Sequence, residues 1–156
     1  MKVVAGIGLS CLVAGSTDIG SAVLITLGKH NEVGGMFRAI ASGVLGAAAF
    51  KGGTEAAMLG FGLHYAIMFG IAACYWALLR NVALARELPI VAGAAFGLGV
   101  YGVMNLVVLP LSNIAFTPKY PPLTLMRDIA IHMGLVGIPI ALVMRAALTP
   151  RLANNS

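Results

Sequence analysis

Four polar side chains stand inside long apolar runs of this 156-residue chain, one to a run: Asp18, His64, Asn105 and His132. A fifth, Asp128, lies one helical turn before His132, close enough along a helix face for the two to touch. The chemistry open to such a set is proton exchange. Imidazole titrates near neutrality, and a carboxylate beside it can trade a proton with it. In hydrocarbon an uncompensated Asp near the centre of a span costs about 2.5–3.5 kcal/mol, so each of these groups asks for a partner or a task.

Their depths match. Asp18 lies nine positions before Leu27, His64 ten after Thr54, and His132 nine after Leu123. Counted from one membrane face at about 1.5 Å per residue, all three fall roughly 14–15 Å deep, near the midplane. Asn105 lies six positions before Leu111, about 9 Å below the same face. The helix faces agree. Cys11, Gly15, Asp18 and Ala22 form a small-residue stripe that lets a neighbouring backbone approach Asp18. Gly60, His64 and Met68 share one face, and Tyr101, Asn105 and Ser112 another, below the close-packing pair Gly93 and Gly97. Pro139, after Gly134 and Gly137, is expected to bend its helix.

Each residue also has a plainer reading. Asn105 serves equally well as interhelical glue, worth about 1 kcal/mol or less. The whole polar layer could do no more than hold helices in register. Cys11 and Cys74 sit in apolar runs and imply no disulfide, metal site or redox chemistry. No metal is expected. The aromatic residues Tyr65, Tyr75, Trp76, Tyr101 and Tyr120 are too scattered to mark a ligand box, and some would anchor at the interface. No phosphate-cradling glycine loop, Gly-x-Ser-x-Gly elbow or His-Glu-x-x-His occurs, so the chain is read as a non-enzyme.

Elements long enough to position this layer come from four runs, at about 3–27, 54–79, 88–111 and 123–148. A fifth apolar stretch, 36–50, is shorter, bracketed by glycine pairs and contains Arg38; it reads as interfacial or re-entrant, with a short tilted span as the alternative. The expected fold is all-α: an integral membrane four-helix bundle with one additional short interfacial or re-entrant helix, a single transmembrane domain over 1–156. The first run, Lys2 onward, has some signal-peptide character, but it continues past Asp18 to span length and is read as uncleaved. Loops carry the punctuation: Gly28 to Glu32, Arg80 to Glu87, Thr117 to Pro122, and Pro150-Arg151 before the tail Asn154-Asn155-Ser156.

Composition supports the lipid setting. Sixty per cent of residues are hydrophobic and ten per cent charged, and mean hydropathy is +0.96. A soluble chain of about 150 residues buries only about 70% of its unfolded surface and could not hide this much apolar area. The net charge of +5 then reflects topology and anionic lipid, not nucleic acid. Lys2, Arg80, Arg86, Arg145 and Arg151 fall on one side of a four-span arrangement, and Lys29, Arg38, Lys51, Lys119 and Arg127 on the other. Arg80 and Arg86 occupy a short loop, which favours cytoplasmic termini.

The order of elements resembles the small bacterial four-span inner-membrane proteins of the YagU-like kind, a family of unassigned function. The residues that carry the resemblance are Leu12-Val13-Ala14-Gly15 with Asp18, Ile40 to Gly46 leading to Phe50-Lys51-Gly52-Gly53, and Gly62-Leu63-His64-Tyr65. Tyr101 to Ser112, and His132 with Val136-Gly137-Ile138-Pro139, complete the set. The resemblance implies a multi-pass location in the bacterial inner membrane and no particular activity. Three functions are compatible with the residues. One is proton- or ion-responsive transport through the Asp/His/Asn layer, in oligomers because four helices enclose little space. The second is a non-catalytic accessory or scaffold subunit of a membrane complex. The third is a b-type haem protein with His64 and His132 as ligands, although Asp18 and Asn105 sit awkwardly beside a porphyrin; the expected cofactor is none.

Overall fold

The computed structural model describes residues 2–148, and every regular element among them is helical. In lipid a backbone must satisfy its own hydrogen bonds, and helices do so within one segment. In chain order the elements are α1 (Lys2–Gly28), α2 (Val33–Leu45) with a 3-10 turn Gly46–Lys51, α3 (Gly53–Asn81) and the short α4 (Ala83–Glu87). Next come α5 (Pro89–Val103), a π-turn Met104–Val108 and α6 (Leu109–Leu111). Last come α7 (Pro122–Ile131), a second π-turn His132–Gly137 and α8 (Ile138–Leu148). The closing turn at Pro150-Arg151 and the Asn154-Asn155-Ser156 tail lie outside the described residues.

Five helical stretches are long and apolar enough to cross a membrane: Lys2–Gly28, Val33–Lys51, Gly53–Asn81, Pro89–Leu111 and Pro122–Ala147. Four coincide with the four expected runs. The fifth is the stretch expected as a short interfacial or re-entrant helix at 36–50, and it reaches 19 residues. It starts earlier than expected because Gly34 and Gly35 are helical. Arg38 Nη2 reaches back to Glu32 Oε2 at 2.8 Å and clamps that first turn.

Contacts set the directions of the helices. Gly6 of α1 faces Met144 and Ala147 of α8, while Thr17 reaches Leu135 in the turn before α8, so those two run antiparallel. Gly93 packs on Ala141 and Gly137, and Gly97 on His132, which makes α5 antiparallel to the last helix too. Tyr75 of α3 stacks edge-on against Phe96, and Met104 lines a cavity with Leu63 and His64, so α3 opposes α5. It follows that α1 and α3 are antiparallel to each other. The end of α1 and the start of α3 lie at one end of the bundle. The C-terminal end of α2 lies there as well, since Asn113 N–H, beyond α6, donates to Gly43 O at 2.9 Å.

Glycine makes the closest crossings possible. A Cβ on Gly97 would fall on the His132 carbonyl, one on Gly137 on the Gly93 carbonyl, and one on Gly60 on the Phe37 carbonyl of α2. Small residues let backbones meet in this way where lipid supplies no hydrophobic drive between helices. Left-handed Gly46 (φ +59°) ends α2, and Gly53 (φ +55°) opens α3. Pro89 and Pro122 begin α5 and α7, where a missing N–H costs nothing. Arg86 Nη1 donates to the carbonyls of Leu79 and Arg80, each at 3.0 Å, and covers the open C-terminal end of α3.

Both π-turns stand just before a proline, Pro110 and Pro139. Proline removes a donor and crowds the carbonyl four residues back, and the wider turn is the local relief. The bend expected at Pro139 therefore takes the form of a π-turn. Its orphaned carbonyl, Leu135 O, accepts a 2.6 Å hydrogen bond from Thr17 Oγ1 of α1.

Candidate functional site

Asp18 from α1, His64 from α3 and His132 at the first position of the second π-turn line one cavity of about 220 Å³. The remaining wall is apolar, including Ile40, Met68, Val100 and Val136. The matched depths of these three residues thus correspond to proximity. His64 and Asp18 are largely covered, with 11% and 22% of their side chains exposed.

The ring nitrogens can be assigned from their partners. His64 Nε2 lies 3.0 Å from Gly15 O, and a carbonyl only accepts, so Nε2 carries hydrogen and donates. The neutral ring then has its lone pair on Nδ1, which faces Asp18 Oδ2 at 4.0 Å. With the ring neutral and Asp18 ionised, two acceptors face each other across a gap too long for a hydrogen bond; a proton on Nδ1 makes them an ion pair. Gly15 can supply its carbonyl because a side chain there would strike the Tyr65 ring. Tyr65 itself meets Ser16 through hydroxyls 3.0 Å apart and sets its ring edge-on to His64, centroids 5.2 Å apart. Cys11 Sγ donates to Tyr65 O at 3.4 Å, so this thiol serves packing.

His132 is held in a similar way. Its Nδ1 donates to Asp128 O at 2.8 Å, leaving Nε2 as the acceptor of the neutral ring, and Tyr101 stands edge-on at 5.2 Å. The expected Asp128–His132 contact is therefore made through the main chain. The Asp128 carboxylate goes instead to Arg127, 2.7 Å from Nη2 and 2.8 Å from Nε. That pairing neutralises both charges beside the bundle and keeps the carboxylate off the cavity wall.

Asn105 is also elsewhere. Its Nδ2 donates to Tyr101 O at 2.9 Å, and its Oδ1 accepts from Tyr120 Oη at 2.9 Å. It ties the segment before α7 to the first π-turn and lines neither cavity described here. Among the described residues no three His, Cys, Asp or Glu side chains gather closely enough to hold a metal ion.

Thr17, Tyr65, Tyr101 and the Gly15 carbonyl belong to the site's support and were not singled out from sequence as such. Thr17 had no signal of its own, because only packing brings its hydroxyl to Leu135 O. Tyr65 had only its adjacency to His64. A second, larger cavity of about 450 Å³ shares Asp18 and His64 with the first and runs between α2 and the first π-turn with α6. Comparison with known protein families, characterised proteins and solved structures finds no match to this chain.

Proposed function

We propose that this protein is a proton-responsive transporter subunit whose working groups are Asp18, His64 and His132. The observation that carries the reading is the facing pair of acceptors, Asp18 Oδ2 and His64 Nδ1, 4.0 Å apart in a covered cavity with a second imidazole in its wall. A proton on either member turns repulsion between lone pairs into attraction, so protonation and the distance between α1 and α3 are linked. An intramembrane carboxylate that merely glued helices would be expected at hydrogen-bond distance from a donor. His132 offers the next position for that proton, through its free Nε2.

The membrane arrangement that goes with this reading has four crossings, with α2 and its 3-10 turn leaving and rejoining the same face. The antiparallel course of α1 and α3 supports it, because a fully crossing α2 would make them parallel. The placement of Arg80 and Arg86 beside the start of α1 supports cytoplasmic termini. We place the chain, as a YagU-like protein, in a bacterial inner membrane, working without catalysis in lipid and as a homo-oligomer or with membrane partners.

The scaffold reading draws on the tight glycine crossings alone and leaves the facing acceptors without a purpose. A haem between His64 and His132 fits poorly. His64 Nε2 is committed to Gly15, and the space between the two rings is a small cavity that also holds Asp18. Proteoliposomes carrying an imposed pH gradient test the proposal. Proton flux through the wild type should fall at least about tenfold in His64→Gln or His132→Gln, the scale of losing a positioned proton carrier. Flux unchanged by both substitutions would remove it.

A further inference from the structure

The geometry points to the larger cavity as a binding site for a lipophilic ammonium ion, whose charged nitrogen sits between Asp18 and His64 in place of the proton. The inference rests on the proton-responsive reading of that pair and adds the class of substrate. Its first support is shape. The cavity of about 450 Å³ is lined by α1, α2, α3, the first π-turn and α6 with the segment after it, and its walls are almost wholly apolar, with Ala22, Met36, Ile40 and Leu63 among them. That volume and character are those of a small-molecule pocket, apolar with a few placed polar groups.

The second support is the polar end. Its ionisable lining groups are Asp18 and His64, and the remaining polar side chain, Ser112, already donates its hydroxyl to Leu109 O at 2.8 Å. A bare metal cation needs several oxygen ligands, which this wall does not offer. An ammonium N–H offers what the site does offer a place for: one hydrogen to the carboxylate, one to the Nδ1 lone pair, and an apolar body against apolar walls. The facing acceptors at 4.0 Å leave the gap that a bridging donor fills. Access exists at the rim, where Val44 and Phe116 are exposed.

Other charged groups near Asp18 set the competition. His132 and Asp128 lie within electrostatic range of it from the last helix, and Asp128 is already paired with Arg127. The cavity lining contributed by α2, the first π-turn, α6 and the segment after α6 is apolar apart from Ser112. Proton and ammonium therefore contend for one position on Asp18 and His64. Occupation by one expels the other, which is the stoichiometric basis of exchange across a membrane.

The test uses the full chain in lipid nanodiscs and titration calorimetry with phenylbutylammonium, with phenylbutanol as the neutral control. Wild type should bind the ammonium saturably and bind it more weakly as pH falls; at a pH low enough for the pair to hold a proton, binding should release that proton, seen as a buffer-dependent heat. Asp18→Asn should weaken binding roughly tenfold or more, the loss of one charge-assisted hydrogen bond. Ala39→Phe, which narrows the larger cavity and leaves the smaller one untouched, should weaken binding while keeping the proton flux. Equal binding of the alcohol, or ammonium binding indifferent to both substitutions, would overturn the inference. Proton flux with no saturable ammonium binding overturns the substrate class and leaves the proton site standing. Ammonium binding with flux indifferent to His64→Gln supports the binding site and removes proton transport.

Discussion

The hydrogen bond from Thr17 to Leu135 O is a consequence of Pro139 and can be tested as one. Residue 139 would ordinarily donate its N–H to the carbonyl four positions back, and proline cannot. That carbonyl lies on the exposed surface of the bundle, which in the proposed membrane setting offers no water to compensate it, and the Thr17 hydroxyl approaches it at 2.6 Å. Interhelical hydrogen bonds in membranes average about 0.6 kcal/mol, with a maximum near 1.7, because the separated helices usually find other partners. Here the separated helix has no helical donor for Leu135 O, so Thr17→Val should fall at the upper end, about 1–2 kcal/mol. Pro139→Ala restores a donor, and in that background Thr17→Val should cost about 0.5 kcal/mol or less. The coupling in a double-mutant cycle is then about 1 kcal/mol, read from equilibrium unfolding in mixed lipid–dodecyl sulfate micelles. Additive effects, with coupling under about 0.3 kcal/mol, would refute the link between the proline and the threonine.

Gly97→Ala should destabilise the bundle by about 1–3 kcal/mol, because the new methyl meets the His132 carbonyl of a rigid backbone; the same unfolding assay measures it, and Gly99→Ala, whose methyl meets nothing, is the control. Single cysteines placed at His30, Gly53 and Lys119 should all react with an impermeant maleimide from one side of sealed vesicles, and one at Asn81 from the other. Labelling of His30 and Gly53 from opposite sides would mean that the stretch between them crosses. Arg86→Ala should cost about 1 kcal/mol by uncovering the end of α3, with Arg86→Lys recovering part of it. Tyr120→Phe should leave overall stability nearly unchanged and speed hydrogen exchange or proteolysis in the segment 113–121, since it frees Asn105 from that segment.

The five apolar helical stretches and the depth of Asp18, His64 and His132 follow from local facts. Hydrophobic length defines a helix in lipid, and rise per residue converts position into depth. Asn105 and Asp128 had depth or spacing in their favour as well, yet both turn to partners next to them in the fold, Tyr120 and Arg127. Spacing cannot rank partners when a stronger or nearer one arrives from a loop or from the adjacent residue. The start of α2 was likewise misjudged from its glycine pair, because the Arg38–Glu32 ion pair that stabilises its first turn depends on side-chain reach.

By itself the sequence determined that this chain is helical and apolar enough for a membrane, that three ionisable groups share one level, and that Pro139 disturbs the last helix. These are properties of single segments, governed by composition, helix rise and covalent geometry. Which helix faces which, and so whether equal depth becomes contact, is decided only where glycines let backbones meet. The tertiary structure brings Asp18 and His64 to 4.0 Å, commits the His64 Nε2 to Gly15, and opens the cavity that makes the pair reachable. Those outcomes depend on rotation of each helix about its own axis, and that angle is fixed by packing against all neighbours at once.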